Sequence, residues 1–156
     1  MPKFSKRSLD RLATVHPDLI TLCHYAIKEY DFAVLYGMRS AEQQFDLYKR
    51  GRKLVGDAWA IEDKKKVVTY KDGYHKKSRH QLGEAVDLIP YYVAYPHIRW
   101  KDTKGLYHFS GYIRGCADML KRYSAIENDV VWGGDWNDNM ILGDQTFFDL
   151  VHFQIK

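Results

Sequence analysis

The chain has 156 residues, of which 46% are hydrophobic, 28% charged and 15% aromatic. That is enough for one self-sufficient core, and no stretch approaches the roughly 18 apolar residues that a spanning helix needs. The formal net charge of +4 favours anionic polymers such as nucleic acid, lipid surfaces or bacterial cell wall without choosing among them.

Met1 to Arg7 leads into mixed sequence rather than an apolar stretch, so no signal peptide is expected. Ser8 is placed as the cap of a short helix. Asp18 to Tyr30 has helical apolar spacing at Leu19, Leu22, Cys23, Ala26 and Ile27. Phe32 to Leu35 is a short buried strand. Ser40 followed by Gln43 reads as a capping box, opening a helix that Gly51 ends. Residues 51 to 79 are polar and irregular, with a hairpin expected over Val67 to Tyr70 and a turn at Asp72-Gly73. The run Lys64 to Lys66 reads as a solvated loop. Ala85 to Ile89 is a strand, which Tyr91 to Tyr95 continues or re-enters. Leu106 to Tyr123 has helical spacing, and Val130 to Trp132 and Leu150 to Ile155 are the last two strands. The two cysteines, Cys23 and Cys116, make no disulfide framework and fit a reducing compartment. No repeat, low-complexity tract or linker divides the chain. The expectation is a single domain over 1–156 with no separate wall-binding module, of α+β class with an antiparallel sheet.

The chemistry concentrates in Ser78-Arg79-His80-Gln81-Leu82-Gly83-Glu84-Ala85-Val86-Asp87. Asp87 lies between Val86 and Leu88 in the most strand-like stretch, where a carboxylate is costly to bury unless paired or bound to a metal. Gly83 lets the chain turn so that His80 folds back towards Asp87. Near the C-terminus His152 is flanked by Val151 and Phe153, with Asp149 three residues before it. Read singly, each histidine is more often a hydrogen-bonded residue than a ligand. Together, two imidazoles and one carboxylate leave one position of a tetrahedral zinc open, the mark of a catalytic site. A carboxylate that does not bind the metal then takes a proton from water, and Asp149 is the candidate.

Residues 78 to 87 match Ser-x-His-x-x-Gly-x-Ala-x-Asp, and Asp149-x-x-His152 an acid-x-x-His pattern. These resemble the two motifs of the zinc peptidases that include D-alanyl-D-alanine carboxypeptidases and phage L-alanyl-D-glutamate endopeptidases. Gly37-Met38-Arg39-Ser40-Ala41-Glu42-Gln43-Gln44 looks like the family's early Gly-x-Arg-Ser/Thr-x-x-x-Gln segment, and Trp132-Gly133-Gly134-Asp135-Trp136 a segment found before the second motif. The resemblance covers roughly residues 30 to 156. It implies one Zn2+ held by His80, Asp87 and His152, with Asp149 as general base. It also implies that Arg39 faces the scissile carbonyl or its oxyanion, and that Ser78 and Trp132 contact substrate. The implied fold is small and α+β, hedgehog/DD-peptidase-like, with the sheet carrying the zinc and helices behind it. Two departures stand out. Asp149 occupies a position where many members carry Glu, and Gln154 follows Phe153 where many have Glu. The alternation Asp135, Asn137, Asn139 gives a candidate weak regulatory Ca2+ loop. Met140 and Thr146 stand where such a loop wants Gly and Glu, so a solvated turn is the competing account.

The expected activity is cleavage of the L-alanyl-D-glutamate bond in peptidoglycan stem peptides by a phage endolysin. Such a protein is made as a monomer in the host cytoplasm and acts on the wall after membrane permeabilisation. It is expected neither to bind nucleic acid nor to insert stably into membrane. The alternatives are a D-alanyl-D-alanine carboxypeptidase and, from another class, a non-catalytic zinc-containing wall-binding module.

Overall fold

The computed structural model describes residues 1–156. Four helices and two sheets follow the chain order: α1 (Lys6–Leu12), α2 (Pro17–Ala26), β1 (Phe32–Tyr36), α3 (Ala41–Tyr48), β2 (Arg52–Val55), β3 (Ala58–Ile61), β4 (Ala85–Pro90), α4 (Thr103–Arg122), β5 (Val130–Trp132) and β6 (His152–Ile155). Strands β1, β4, β6 and β5 form one antiparallel sheet in that spatial order, and β2 and β3 form a separate hairpin. The α+β class with an antiparallel sheet is therefore what the chain adopts.

Strand parity explains how the sheet divides its labour. Alternate residues face opposite sides. Phe32 and Val34 of β1, Val86 and Leu88 of β4, Phe153 and Ile155 of β6, and Val130 and Trp132 of β5 all join one buried cluster. Helices α2 and α4 close that face with Leu19, Leu22, Cys23 and Ala26 from one and Phe109, Ile113, Ala117 and Leu120 from the other. The residues of opposite parity, Asp87 and His152, face the other side. They are direct cross-strand partners in the β4–β6 register. Side chains so paired stand about 5 Å apart at Cβ, close enough to share one ion.

The caps are set by short polar side chains. Ser40 accepts from the Gln43 N–H while the Gln43 side chain accepts from the Ser40 N–H, so the expected capping box forms. Helix α1 is capped by Ser5 rather than Ser8. Ser8 lies one turn inside, buried, where its hydroxyl accepts from the Val34 N–H and ties α1 to β1.

Two further expectations change. The hairpin lies at Arg52–Ile61, turned at Gly56-Asp57, and not at Val67 to Tyr70. The Asp72 carboxylate accepts the N–H groups of Tyr74, His75 and Lys76, coiling the chain where a hairpin return would start. Tyr91 to Tyr95 is likewise no strand: the chain leaves the sheet after Pro90 and turns back through a bond from Tyr92 N–H to the His97 carbonyl. Cys23 and Cys116 are free and buried. No helix is long and apolar enough to cross a membrane.

Candidate metal centre and cleft

His80 arrives from a single 3-10 turn, Arg79–Leu82, that ends at Gly83 with φ of 70°. Only glycine takes that left-handed geometry without strain. The turn sends the chain into β4, and His80 comes to lie over Asp87. The His80 Nε2 is 3.1 Å from Asp87 Oδ1 and 3.1 Å from His152 Nδ1, and His152 Nδ1 is 3.2 Å from the same carboxylate oxygen. All three residues are buried.

The remaining ring nitrogens decide what this triangle is. His80 Nδ1 donates to the Gly37 carbonyl at 2.8 Å. His152 Nε2 donates to Gln154 Oε1 at 3.1 Å. Each neutral ring has one N–H, and each is used there, so the facing nitrogens present lone pairs. Two lone pairs and a carboxylate oxygen thus converge, an arrangement that calls for a cation. Zinc–nitrogen bonds of about 2.0–2.1 Å in a tetrahedral shell separate ligand atoms by about 3.3 Å. The observed separations fit that size, and the outer hydrogen bonds fix both rings as metal sites require. His80, Asp87 and His152 are the one group of histidine, cysteine or acidic side chains in the chain that converges in this way.

Gly37 is constrained from both sides. A Cβ there would collide with the Arg11 carbonyl and the Thr14 hydroxyl, so the chain passes α1 at a distance only glycine permits. Its carbonyl is thereby aimed at His80.

The triad lies in a cleft of about 460 Å³ that Arg39, Ser78, Asp149, Gln154, Trp136 and Phe147 also line. Arg39 follows β1. One terminal nitrogen donates to Gln44 Oε1 at 2.8 Å, and the other lies 3.9 Å from Asp87 Oδ2. Gln44 is 1% exposed and donates in turn to Thr69 and to the Lys71 carbonyl. Burial disfavours the charged guanidinium, and Asp87 is the first of the groups that oppose this. Asp149 sits on the turn before β6, clamped by its N–H to the Gly133 carbonyl while the Gly133 N–H donates to His152. Burial raises its pKa, reinforced by the like charge of Asp87. Asp87 is driven the other way: burial opposes its ionisation, but the neighbouring imidazoles of His152 and then His80 hold its carboxyl well below the usual range. For His152 burial disfavours the imidazolium, yet Asp87 and then Asp149 lift its pKa above the ordinary value. Ser78 is buried at the cleft wall, and its hydroxyl has no hydrogen-bond partner.

Six of the seven expected site residues therefore meet in one cleft. Trp132 does not. It is 3% exposed, its ring meets Tyr107 edge-on, and its indole N–H donates to the Leu150 carbonyl. Its parity on β5 matches Val130, which points it into the core. Trp136 lines the cleft instead, with its ring 5.2 Å from that of His152 and stacked on Phe147. It stands four residues after Trp132, in Trp132-Gly133-Gly134-Asp135-Trp136, beyond the Gly133-Gly134 turn. The calcium reading also loses its geometry. The fully buried Asp135 carboxylate is held by Arg114 at 2.9 Å and by the N–H groups of Asn139 and Met140. The side chains of Asn137 and Asn139 both donate to Asp144 instead.

With this geometry in hand, comparison with known proteins gives three concordant matches. The family model described as phage L-alanyl-D-glutamate peptidase matches residues 1–155. The L-alanyl-D-glutamate peptidase of Escherichia phage T5 is 26% identical over 137 residues, covering 86% of this chain and 82% of that protein. The crystal structure of the Serratia marcescens L-Ala D-Glu endopeptidase ChiX superposes with a TM-score of 0.60 at 22% identity, covering 99% of this chain and 90% of that one, which is a likeness of fold. A sheet that pairs Asp87 with His152, a turn that returns His80 to them and a sequence matched almost end to end lead to one conclusion: the chain belongs to the phage L-alanyl-D-glutamate peptidase family.

Proposed function

We propose that this chain is a zinc peptidase that cleaves the L-alanyl-D-glutamate bond of peptidoglycan stem peptides, working as one monomeric domain on the wall of a host bacterium once its membrane has been breached. The observation that carries the reading is the convergence of the His80 Nε2 and His152 Nδ1 lone pairs on Asp87 Oδ1, with the other nitrogen of each ring already used.

His80, Asp87 and His152 would hold the ion. When bound, zinc supplies a Lewis acid and lowers the pKa of a coordinated water towards about 7. Asp149 takes a proton from the attacking water and returns it to the leaving amine. Its raised pKa suits that exchange, because a base poised nearer neutrality both accepts and releases the proton readily. Arg39, held in place by Gln44, offers N–H donors to the oxygen that gains charge as the amide carbon becomes tetrahedral. Ser78, whose buried hydroxyl has no partner of its own at the cleft wall, would support substrate or a metal ligand by hydrogen bonding, and Trp136 and Phe147 form an apolar side against which a peptide packs.

The test is a digest of purified peptidoglycan with metal-loaded protein, read by mass spectrometry. New amino-terminal D-glutamate is expected. Release of terminal D-alanine with the L-alanyl-D-glutamate bond intact would overturn the assigned specificity. Asp149→Ala is expected to keep its zinc and lose about 10²–10⁴-fold in turnover; unaltered turnover would remove Asp149 from the role of base.

A further inference from the structure

The cleft carries more positive charge than the proposed chemistry uses. Arg50 and Lys71 line it together with Arg39 and Arg79. Arg39 is committed to Gln44 and Asp87, and Arg79 to Glu84. Arg50 and Lys71 are exposed and neither has an acidic partner. Their placement is built rather than incidental. Gln44, Leu47 and Arg50 recur at intervals of three along α3 and the turn that follows it, and all three face the cleft. The Lys71 backbone is tied to that same helix by the Gln44 amide. The two cations thus stand on supports that share one buried residue. Arg50 lies close enough to Arg39 to disfavour the Arg39 charge, which Asp87 and Asp149 favour.

Two cations held without a counterion in a substrate cleft suit an anionic substituent. A glutamyl residue joined to the amine side of the cleaved bond continues the chain through one carboxyl and keeps the other. That second group is either a free carboxylate or an amide, and it lies a few bonds from the attacked carbon. We infer that Arg50, assisted by Lys71, binds the free carboxylate of the glutamyl residue, so that the enzyme selects stems carrying glutamate over stems in which that carboxyl is amidated. The inference rests on the proposed bond specificity.

The experiment uses two synthetic stem peptides that differ only in having D-glutamate or its amidated form after L-alanine, with the metal-loaded protein, Arg50→Gln and Lys71→Gln. A charge-assisted hydrogen bond predicts that the wild type favours the free acid by roughly tenfold to hundredfold in kcat/KM, expressed mainly in KM. In Arg50→Gln that ratio is expected to fall towards one, and in Lys71→Gln to fall part of the way. Both residues are exposed, so circular dichroism and zinc content should match wild type. Equal cleavage of the two peptides by the wild type would overturn the inference, as would a preference that survives both substitutions. Cleavage of both peptides at some other bond would instead overturn the reading on which it rests. That result shows in the products of the wild type, before any variant is compared.

Discussion

Gln154 is the residue through which a single amide controls His152. Its Oε1 accepts a hydrogen bond from the imidazole Nε2–H and leaves Nδ1 to face Asp87. The side chain is neutral, so it orients the ring without adding charge beside a site that already holds Asp87 and Asp149. Gln154→Ala is expected to weaken zinc binding by about ten- to hundredfold in competition with a chelator, with the sheet intact. The same neighbourhood sets a pH dependence in the metal-free protein. The His152 pKa is raised above 6.5 in the folded chain, so its protonated form contributes stability that is fully present below pH 6.5. That contribution declines as pH rises through the folded value. The Tm of metal-free protein should therefore fall between mildly acidic and mildly alkaline pH, and His152→Gln should flatten the slope. Metal binding moves oppositely, because the ligands must be deprotonated, so zinc affinity should rise over the same range.

At the level of elements, the close passage of α1 against the end of β1 supports the centre. Gly37 lies there, and its carbonyl receives the His80 N–H. Gly37→Ala drives a methyl group into backbone that has no freedom to yield. A loss of about 1–3 kcal/mol in urea unfolding is expected, together with weaker zinc binding; a variant with unchanged zinc affinity would show that this carbonyl does not orient His80. The elements were legible to different degrees. Strand β5 was placed residue for residue and β1 and β4 within one residue at their ends, because short apolar runs bounded by polar residues leave few alternatives. The capping box at Ser40 was legible because both partners are local. The β2–β3 hairpin was not, since its exposed residues show no apolar alternation. Trp132 and Trp136 could be distinguished only by strand parity. Val130-Val131-Trp132 puts Trp132 on the Val130 side, and that side is fixed as the core only once α4 is seen to cover it. The convergence of His80, Asp87 and His152 was readable through its motifs. The Gly37 carbonyl was not, because a main-chain acceptor has no signature in sequence.

Across the whole molecule, the long connection from β5 to β6 is what completes the cleft, and a buried ion pair anchors it to α4. Arg114 holds Asp135, which is fully buried, and Asp138 beside it. Removing the guanidinium would leave a buried carboxylate uncompensated. Arg114→Met is expected to lower stability by about 3–5 kcal/mol and to loosen Trp136, measured as a raised KM in the fraction that remains folded. Zinc held by the triad would couple to global stability as well. At a free concentration about 1,000 times its Kd, a ligand that binds only the folded state adds about 4 kcal/mol, so a chelator should lower the Tm of wild type and leave that of an Asp87→Ala variant nearly unmoved.

The pairing of Asp87 with His152 across β4 and β6 has one more consequence. Side chains alternate along a strand, so a slip of one residue in β6 would turn Phe153 into the cleft and bury His152 among the helices. Such a mispaired chain has no ion-binding site. The metal would therefore act as a proofreader of registry: during refolding it would be captured only by molecules whose last strand has docked in step. The yield of correctly paired protein should then rise with zinc in the refolding buffer.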